Sequence, residues 1–269
     1  MANTEDETLK HLNSSGFLFQ EAVEYTVRKN TSNREWEILR EIPWLNKQNN
    51  NSGFVDLVFS YGLVRITVEC KRPRGGTWIF PVKPGDSPNV RDVRCLWTHH
   101  QTGLNDIYNY NDLLLDPASY VSDICVIKGQ DEKSPLLERL SSQLLESQFC
   151  FAQEEISLLK SIKRGLGNVY LPVIITSAEL KVCKIDPSLI DISDGTIKST
   201  EFETVDFIRF RKSLANDLTP YATPNSIKES SVDKQRTILI MNSSGLSKHL
   251  SKWKLSNAPG DGFPWESYR

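Results

Sequence analysis

The sequence predicts a mixed α/β or α+β domain, and three observations along the chain predict it. Residues 7–30 have the apolar spacing of a helix, residues 35–71 have the pattern of a three-strand meander, and later segments alternate between strand and helix patterns. This element order is typical of a mixed central β-sheet with helices on both faces. We therefore expect a layered domain whose central strands are buried.

The first helix is predicted from mostly apolar side chains that recur at helical spacing. These side chains belong to Phe19, Ala22, Val23, Thr26 and Val27. The meander is predicted from three runs bounded by polar or glycine-containing segments, which is the pattern of short strands. The runs cover residues 35–42, which end at Pro43, residues 53–59 and residues 63–71.

Further elements are expected along the rest of the chain. We predict a long loop over residues 72–90 and a helix over 91–115. A strand follows at 120–128 and a long helix at 135–163. Two strands within residues 169–185, strands at 202–212 and 236–241, and a last helix at 244–253 complete the prediction.

Length and composition fit one globular domain with a sizeable core. The chain has 269 residues, of which 39% are hydrophobic and 25% are charged, as in ordinary soluble domains. We expect a single domain over residues 1–257, with its core at about 7–185 and C-terminal strands and a helix at 200–255. An irregular tail is expected at 258–269.

Location and partners are constrained by what the sequence lacks. The longest apolar runs fall far short of the roughly 20 residues that a membrane helix needs, and the polar N-terminus has no apolar core of a secretory signal. The 5 cysteines are scattered, which indicates reduced thiols rather than a disulfide framework or a zinc site. We expect a cytoplasmic protein without a membrane partner.

The formal net charge of −2 argues against a protein that coats nucleic acid through bulk positive charge. Transient binding needs only a local basic cleft. An enzyme that acts on nucleic acid is therefore compatible with this charge.

The third strand of the meander carries an acid and a base on one face. Because side chains alternate across a strand, Glu69 and Lys71 are predicted on the face opposite the apolar side chains. Those apolar side chains belong to Val64, Ile66, Val68 and Cys70. Glu69 and Lys71 therefore form a candidate site by strand parity alone.

The second strand contributes a carboxylate within an apolar run. Strict alternation predicts that Asp56 shares one face with Phe54 and Val58, while the opposite face carries Val55, Leu57 and Phe59. Burial of a lone carboxylate is costly unless it has a partner or a metal. Asp56 is therefore a candidate functional residue.

The register of the hairpin decides whether Asp56 joins Glu69. If Tyr61-Gly62 is a two-residue loop, Asp56 lies opposite Thr67 and diagonal to Glu69. Diagonal neighbours are roughly 7–8 Å apart, within reach of a shared cation. Tyrosine resists the positive φ that such a loop requires, so a loop of three or four residues is the alternative. A slip of one residue would separate the acids onto opposite faces.

Two carboxylates at that separation repel each other unless a cation lies between them. Mg²⁺ suits the pair because it prefers oxygen ligands and is often held by one or two carboxylates, waters and a substrate phosphate. Such an ion acidifies a bound water and neutralises charge on a phosphate. Lys71 would orient the attacking water or stabilise the developing charge. We therefore expect Mg²⁺ at Asp56 and Glu69, with Mn²⁺ as a substitute.

These residues resemble the active-site hairpin of the PD-(D/E)xK nuclease superfamily, which includes many restriction endonucleases and DNA-repair nucleases. The stretches GFVDLVF and VECKR match Asp56 to the aspartate, Glu69 to the acidic residue and Lys71 to the lysine of the motif. Val55 stands where the family name has a proline. The resemblance implies a restriction endonuclease-like core, in which a helix, a three-strand meander, a helix and a further strand build a mixed sheet.

The resemblance also implies an additional acid from the first helix. Glu21 is the candidate, both as a catalytic residue and as a metal ligand, with Gln20 and Glu24 as its rivals. Arg72 and Arg74 follow the motif and are predicted to bind the nucleic-acid backbone, because arginine pairs with phosphates and the adjacent glycines allow close approach. A solvated surface loop is the alternative for these two arginines.

The sequence thus predicts a Mg²⁺-dependent nuclease that hydrolyses DNA phosphodiester bonds, as an endonuclease on duplex DNA. The resemblance implies restriction or antiphage defence in a prokaryotic cytoplasm. Two-fold DNA favours a homo-oligomer, and a subunit of a defence complex is also expected. Two alternatives stay open, namely a catalytically inactive DNA-binding or scaffold subunit with the same fold, and an RNA-processing nuclease with the same site.

Overall fold

The computed structural model describes most of the chain, in residues 4–30, 36–73, 76–99, 106–127, 135–161, 167–214 and 226–257. The N-terminal part contains α1 (Thr4–Ser14), α2 (Phe17–Asn30), β1 (Glu37–Asn46), β2 (Asn51–Tyr61) and β3 (Val64–Lys71). The middle part contains β4 (Thr77–Val82), β5 (Val90–His99), β6 (Ile107–Ser119), β7 (Val121–Ser122), β8 (Val126–Ile127) and the long helix α3 (Leu136–Ser161).

The C-terminal part consists mainly of strands, with short helical segments between some of them. Its strands are β9 (Gly167–Thr176), β10 (Glu179–Lys184), β11 (Ile190–Asp191), β12 (Thr196–Ile197), β13 (Phe202–Val205), β14 (Phe207–Ser213), β15 (Gln235–Asn242) and β16 (Lys254–Asn257). Its helices are α4 (Ile227–Asp233) and α5 (Leu246–Leu250), with 3₁₀ turns at Pro187–Leu189 and Ser243–Gly245. The irregular tail predicted at 258–269 lies outside the described residues.

A ten-stranded mixed sheet forms the centre of the described structure. Its main path runs β1-β2-β3-β9-β15-β14-β7, and the β5–β6 hairpin joins it through β5 and β9. Strands β1, β2 and β3 form an antiparallel meander, whereas β3 pairs with β9 in parallel. A smaller sheet has the order β13-β10-β4-β8. The predicted mixed α+β class with a large central sheet is therefore confirmed.

Helices cover both faces of the meander. On one face, Val23 and Val27 of α2 belong to the same apolar cluster as Leu57, Ile66 and Val68. On the other face, α3 packs against β1, β2, β3 and β9. Burial of each such side chain stabilises the fold by about 1.5–3 kcal/mol. The meander is thus packed between helices on both of its faces.

The predicted helix over residues 91–115 is wrong, because this segment forms strands β5 and β6. Cys95 and Leu96 are buried on one strand and Leu113 and Leu115 on the other, and the two strands pair along their length. Packing against the sheet outweighs the weak helical spacing. The predicted loop over 72–90 likewise contains β4, which pairs in parallel with β10.

The predicted helix over residues 7–30 is two helices with a break before Phe17. The hydroxyl groups of Ser14 and Ser15 donate to the carbonyls of His11 and Leu12 at 2.7 Å each. Such bonds compete with the helical pattern and favour its end. None of the helices in the described ranges has the length and apolarity that crossing a bilayer demands.

Candidate active site

The turn between β2 and β3 sets the register of the hairpin. Tyr61 pairs with Val64, so the loop consists of Gly62 and Leu63. Gly62 has a φ of 55°, and a two-residue type II′ turn places glycine at this first position because φ must be positive there. The predicted Tyr61-Gly62 loop is therefore wrong by one position.

This register places Asp56 and Glu69 close together, one position past the last ladder pair of β2 and β3. Leu57 pairs with Val68, so the next position along the hairpin sets Asp56 opposite Glu69 rather than opposite Thr67. The partner of Asp56 moves by two residues from the predicted one. Because two is the period of a strand, the two acids still meet.

The two strands separate at the acids, and the Asp56 side chain bridges the gap. Its Oδ2 atom accepts a hydrogen bond from the backbone N–H of Cys70 at 2.7 Å, in place of a ladder bond between strands. The other edge of Cys70 pairs with β9. Within the described residues, neither Oδ1 of Asp56 nor the Glu69 carboxylate has a hydrogen-bond partner. Three carboxylate oxygens are therefore available to a ligand.

The strict alternation predicted for β2 is interrupted at Asp56. Val55 and Val58 both belong to the cluster on the α3 side, whereas Leu57 and Phe59 belong to the opposite cluster. The prediction that Val55 shares a face with Leu57 is thus wrong. The strand rotates at Asp56, which explains how this side chain reaches the backbone of the neighbouring strand.

Strand β1 is distorted at the matching point. Glu41 has a φ of 48°, a conformation that residues other than glycine rarely adopt. Leu39 packs with the α3-side cluster, and so do Ile42 and Trp44, so the alternation of β1 also changes at Glu41. Because β1 and β2 turn together, Glu41 comes to line the same pocket as Asp56.

Burial and like charge both act on the acids. Burial, and secondly the charge of Asp56, raises the pKa of Glu69 to about 7, and Lys71 opposes this rise. Burial also raises the pKa of Asp56, and the hydrogen bond from Cys70 opposes it. Within the described ranges, neither acid forms a salt bridge. The pair therefore carries negative charge that the protein only partly compensates.

A pocket of about 530 Å³ opens in front of the two acids. Its floor includes Asp56, Glu69 and Glu41, and its far wall is formed by α3 with Gln143 and Ser147. A cavity of this size is within the range of small-ligand sites. Lys71 does not line it, but lies two residues beyond Glu69 on the same strand.

An asparagine-rich turn forms the rim of this pocket. The side-chain amides of Asn46 and Asn49 donate to Oε1 of Glu146 on α3 at 2.8 Å each, and Asn51 donates to the same carboxylate at 3.3 Å. The β1–β2 turn is thereby fastened to α3. These hydrogen bonds therefore join the rim of the pocket to α3.

The three candidate site residues on helix α2, namely Glu21, Glu24 and Gln20, lie in different surroundings. Glu21 forms an ion pair with Arg40, and Glu24 contacts Arg28 at 2.9 Å and Arg40 at 3.0 Å. Neither lines the pocket. Gln20 is 5% exposed and is the one that reaches the site, by donating to the Asp56 carbonyl at 2.9 Å. A metal-binding role for Glu21 remains a prediction, and the structure does not bring Glu21 to the acids.

The two predicted phosphate-binding arginines have different outcomes. The guanidinium group of Arg72 donates to the Asn13 carbonyl at the end of α1, so this arginine holds α1 near the end of β3. Arg72 itself is exposed, and a phosphate contact remains a prediction. Arg74 lies outside the described residues.

The donor set fits a magnesium ion bound by two carboxylates. Among the described residues, no three acidic, histidine or cysteine side chains are grouped to hold a metal ion. Mg²⁺ does not need such a group, because waters and a substrate phosphate complete its six positions. An ion between Asp56 and Glu69 would replace their repulsion with attraction. No family model, curated protein or solved structure matches the chain.

Proposed function

We propose that this protein is a metal-dependent nuclease that hydrolyses phosphodiester bonds in DNA. One observation carries the proposal: Asp56 and Glu69 lie opposite each other at the open end of a hairpin, with their charge compensated only in part by Lys71. A pair of half-buried acids with only partial charge compensation is a costly arrangement for a merely structural role. It is an expected arrangement for a site that receives a divalent cation and a phosphate.

The residues of the site would divide the chemistry among them. Asp56 and Glu69 would hold the ion, and Cys70 keeps Asp56 in position through its backbone N–H. When bound, Mg²⁺ supplies a Lewis acid for the phosphate and lowers the pKa of water. Lys71 would stabilise the negative charge that develops on the phosphate oxygens. The α3 wall would exclude part of the bulk water and strengthen these interactions.

The order of elements supports the same proposal. Helix α2, the meander β1–β3, helix α3 and the parallel strand β9 follow the order that the resemblance to PD-(D/E)xK nucleases implies. Strands β4–β8 would then be an insertion between the meander and α3. A role in restriction or antiphage defence follows from the resemblance and stays part of the proposal.

A cleavage assay tests the proposal directly. Wild type is incubated with supercoiled plasmid, linear duplex DNA, single-stranded DNA and RNA, in Mg²⁺, in Mn²⁺ and in EDTA. We expect cleavage of DNA that requires the metal, and a loss of about 10³-fold in Asp56→Asn, Glu69→Gln and Lys71→Met. Glu37→Gln, on the exposed side of β1, and Lys181→Met, in the smaller sheet, serve as matched controls.

The possible results separate the alternatives. Wild type that cuts only RNA indicates an RNA-processing nuclease with the same site. Wild type that cuts no substrate, yet binds DNA as tightly as the three site variants do, indicates a DNA-binding or scaffold subunit and overturns the proposal. Circular dichroism and thermal melting must first establish that each variant is folded.

A further inference from the structure

The acids of the pocket form a row across three neighbouring strands. Asp56 lies opposite Glu69 in the β2–β3 hairpin, and Glu41 occupies the position opposite Asp56 between flanking ladder pairs of β1 and β2. Glu41, Asp56 and Glu69, called the acidic row below, all line the same pocket.

The backbone at Glu41 is held in an unfavourable conformation. Its φ of 48° is unusual for a residue with a side chain, and the ladder between β1 and β2 is interrupted at this residue. Glycine would adopt this conformation without strain, yet the chain has glutamate here. Strained residues occur most often where a side chain must be aimed for function.

A buried amide fixes the Glu41 carboxylate. Gln20 of α2 donates from Nε2 to Oε1 of Glu41 at 2.8 Å and to the Asp56 carbonyl at 2.9 Å. Both donor hydrogens of this amide are thus used, one on each of two adjacent strands. Within the described residues, the second carboxylate oxygen of Glu41 has no hydrogen-bond partner. Its charge acts on the site, since it contributes to the raised pKa of Asp56.

We propose that Glu41 is a third acidic residue of the metal site, positioned by Gln20, and that it acts on the ion through an intervening water. This inference rests on the metal site of the proposed function. Direct contact of all three acids with one ion is not expected, because they are not grouped closely enough. Mg²⁺ retains several of its waters in proteins, and a carboxylate that accepts from such a water increases affinity without touching the ion.

Metal binding without nucleic acid gives a test that does not depend on cleavage. Mn²⁺ is titrated into the full chain, and the free ion is measured by electron paramagnetic resonance. We expect Glu41→Gln to bind Mn²⁺ about tenfold more weakly than wild type, because its amide still accepts from Gln20 but carries no charge. Glu37→Gln removes a charge from the same strand outside the pocket and should bind as wild type does. Asp56→Asn should lose binding altogether.

A second pair of variants separates the charge from the strain. Glu41→Ala and Glu41→Gly both remove the carboxylate, so we expect equally weak Mn²⁺ binding in both. Only glycine relieves the positive φ, so the glycine variant should melt about 2–4 °C above the alanine variant. Gln20→Ala keeps the Glu41 charge but releases its position, and should weaken Mn²⁺ binding by less than Glu41→Gln does.

The failure of this inference differs from the failure of the proposed function. If Glu41→Gln binds Mn²⁺ as tightly as wild type, Glu41 has no role at the metal, although DNA cleavage can still depend on Asp56 and Glu69. If wild type binds no Mn²⁺, the inference is overturned. If wild type binds Mn²⁺ with the expected losses but cuts no nucleic acid, the inference stands and the nuclease proposal fails.

Discussion

Two clusters of charged side chains lie in the large sheet, and their charges are balanced differently. Around the β5–β6 hairpin, Asp112 accepts from Arg94 at 2.7 Å and from Arg211 at 2.8 Å, and Arg94 also contacts Asp233 at 3.4 Å. Two arginines thus face two aspartates. The acidic row instead combines three carboxylates with the partial compensation of Lys71.

The difference is the one expected if the Asp112 cluster stabilises the fold and the acidic row binds a cation, as proposed above. Guanidinium groups that pair with carboxylates compensate each other's charge, so the two arginines and two aspartates of the Asp112 cluster are balanced in charge from within. In the acidic row, Asp56 and Glu69 are half-buried and Glu41 is exposed, and partly buried charge without full compensation destabilises the folded chain until a cation binds. Removing the charge of Asp112 should therefore lower the free energy of unfolding, whereas removing the charge of Asp56 should not.

The largest expected effect comes from neutralising one aspartate in each cluster. Asp112→Asn should lower the free energy of unfolding by about 3 kcal/mol, because two largely buried arginines lose a charged partner. Asp56→Asn should not lower it, because this asparagine can still accept from Cys70 and no longer repels Glu69. Urea denaturation at pH 7.5 in EDTA measures both. Equal losses in the two variants would remove the distinction between the clusters.

The pH dependence of stability gives the next largest effect. The pKa of Glu69 is about 7 in the folded chain, against an ordinary 4.5, so the folded chain holds this proton to higher pH than the unfolded chain does. Stability due to Glu69 is therefore lost as the pH rises through this window. Between pH 5 and pH 8, wild type should lose about 2 kcal/mol relative to Glu69→Gln in EDTA. Urea titrations at both pH values measure this difference. If the pKa of Glu69 is not raised, wild type and Glu69→Gln should change in stability by the same amount between the two pH values.

A smaller effect is expected at the turn that sets the register. Gly62→Ala places a side chain at a φ of 55° and should cost about 1 kcal/mol in the free energy of unfolding. Gly85→Ala is the control, since a Cβ there meets no neighbour and the backbone needs no positive φ. Thermal melting measures both variants. If Gly62→Ala is as stable as Gly85→Ala, the turn does not require glycine at position 62. The turn would then not set the register that places Asp56.

The smallest effect is expected at the exposed ion pair of α2. Glu21→Gln removes one contact of Arg40, and such pairs contribute roughly 0–1 kcal/mol. Cleavage should stay within about twofold of wild type, because Glu21 does not reach the pocket. A loss as large as that of Glu69→Gln would instead support the sequence-based prediction that Glu21 is a metal ligand.

The sequence is sufficient to predict the Glu69-Lys71 face, because strand parity depends only on a period of two. It also predicts that Asp56 lies near Glu69, although the predicted loop is misplaced by one residue. The residue opposite Asp56 changes by two positions, and a shift of two keeps both acids on the same face of the sheet. The helix predicted over 91–115 fails for a tertiary reason. The β5–β6 hairpin is stabilised by pairing with β9, a strand that local spacing cannot reveal.

The proposed role of Glu41 could not be predicted from the alternation of side chains along the strands. Strict alternation assigns each residue to a face, whereas β1 and β2 both rotate at Glu41 and Asp56. Counting back along both strands from the observed Asn46–Asn51 pair places Glu41 opposite Asp56, so this pairing depends on where the asparagine-rich turn begins and ends.

The parallel pairing of β3 with β9 also has a consequence for synthesis of the chain. Val64 pairs with Val169, so the hairpin that carries the acids emerges from the ribosome about 100 residues before its neighbour. At roughly 5–20 residues per second, its edge stays unpaired for about 5–20 s. Charged side chains discourage such edges from joining other chains. Glu69 and Lys71 should therefore also limit aggregation of the nascent protein during that interval.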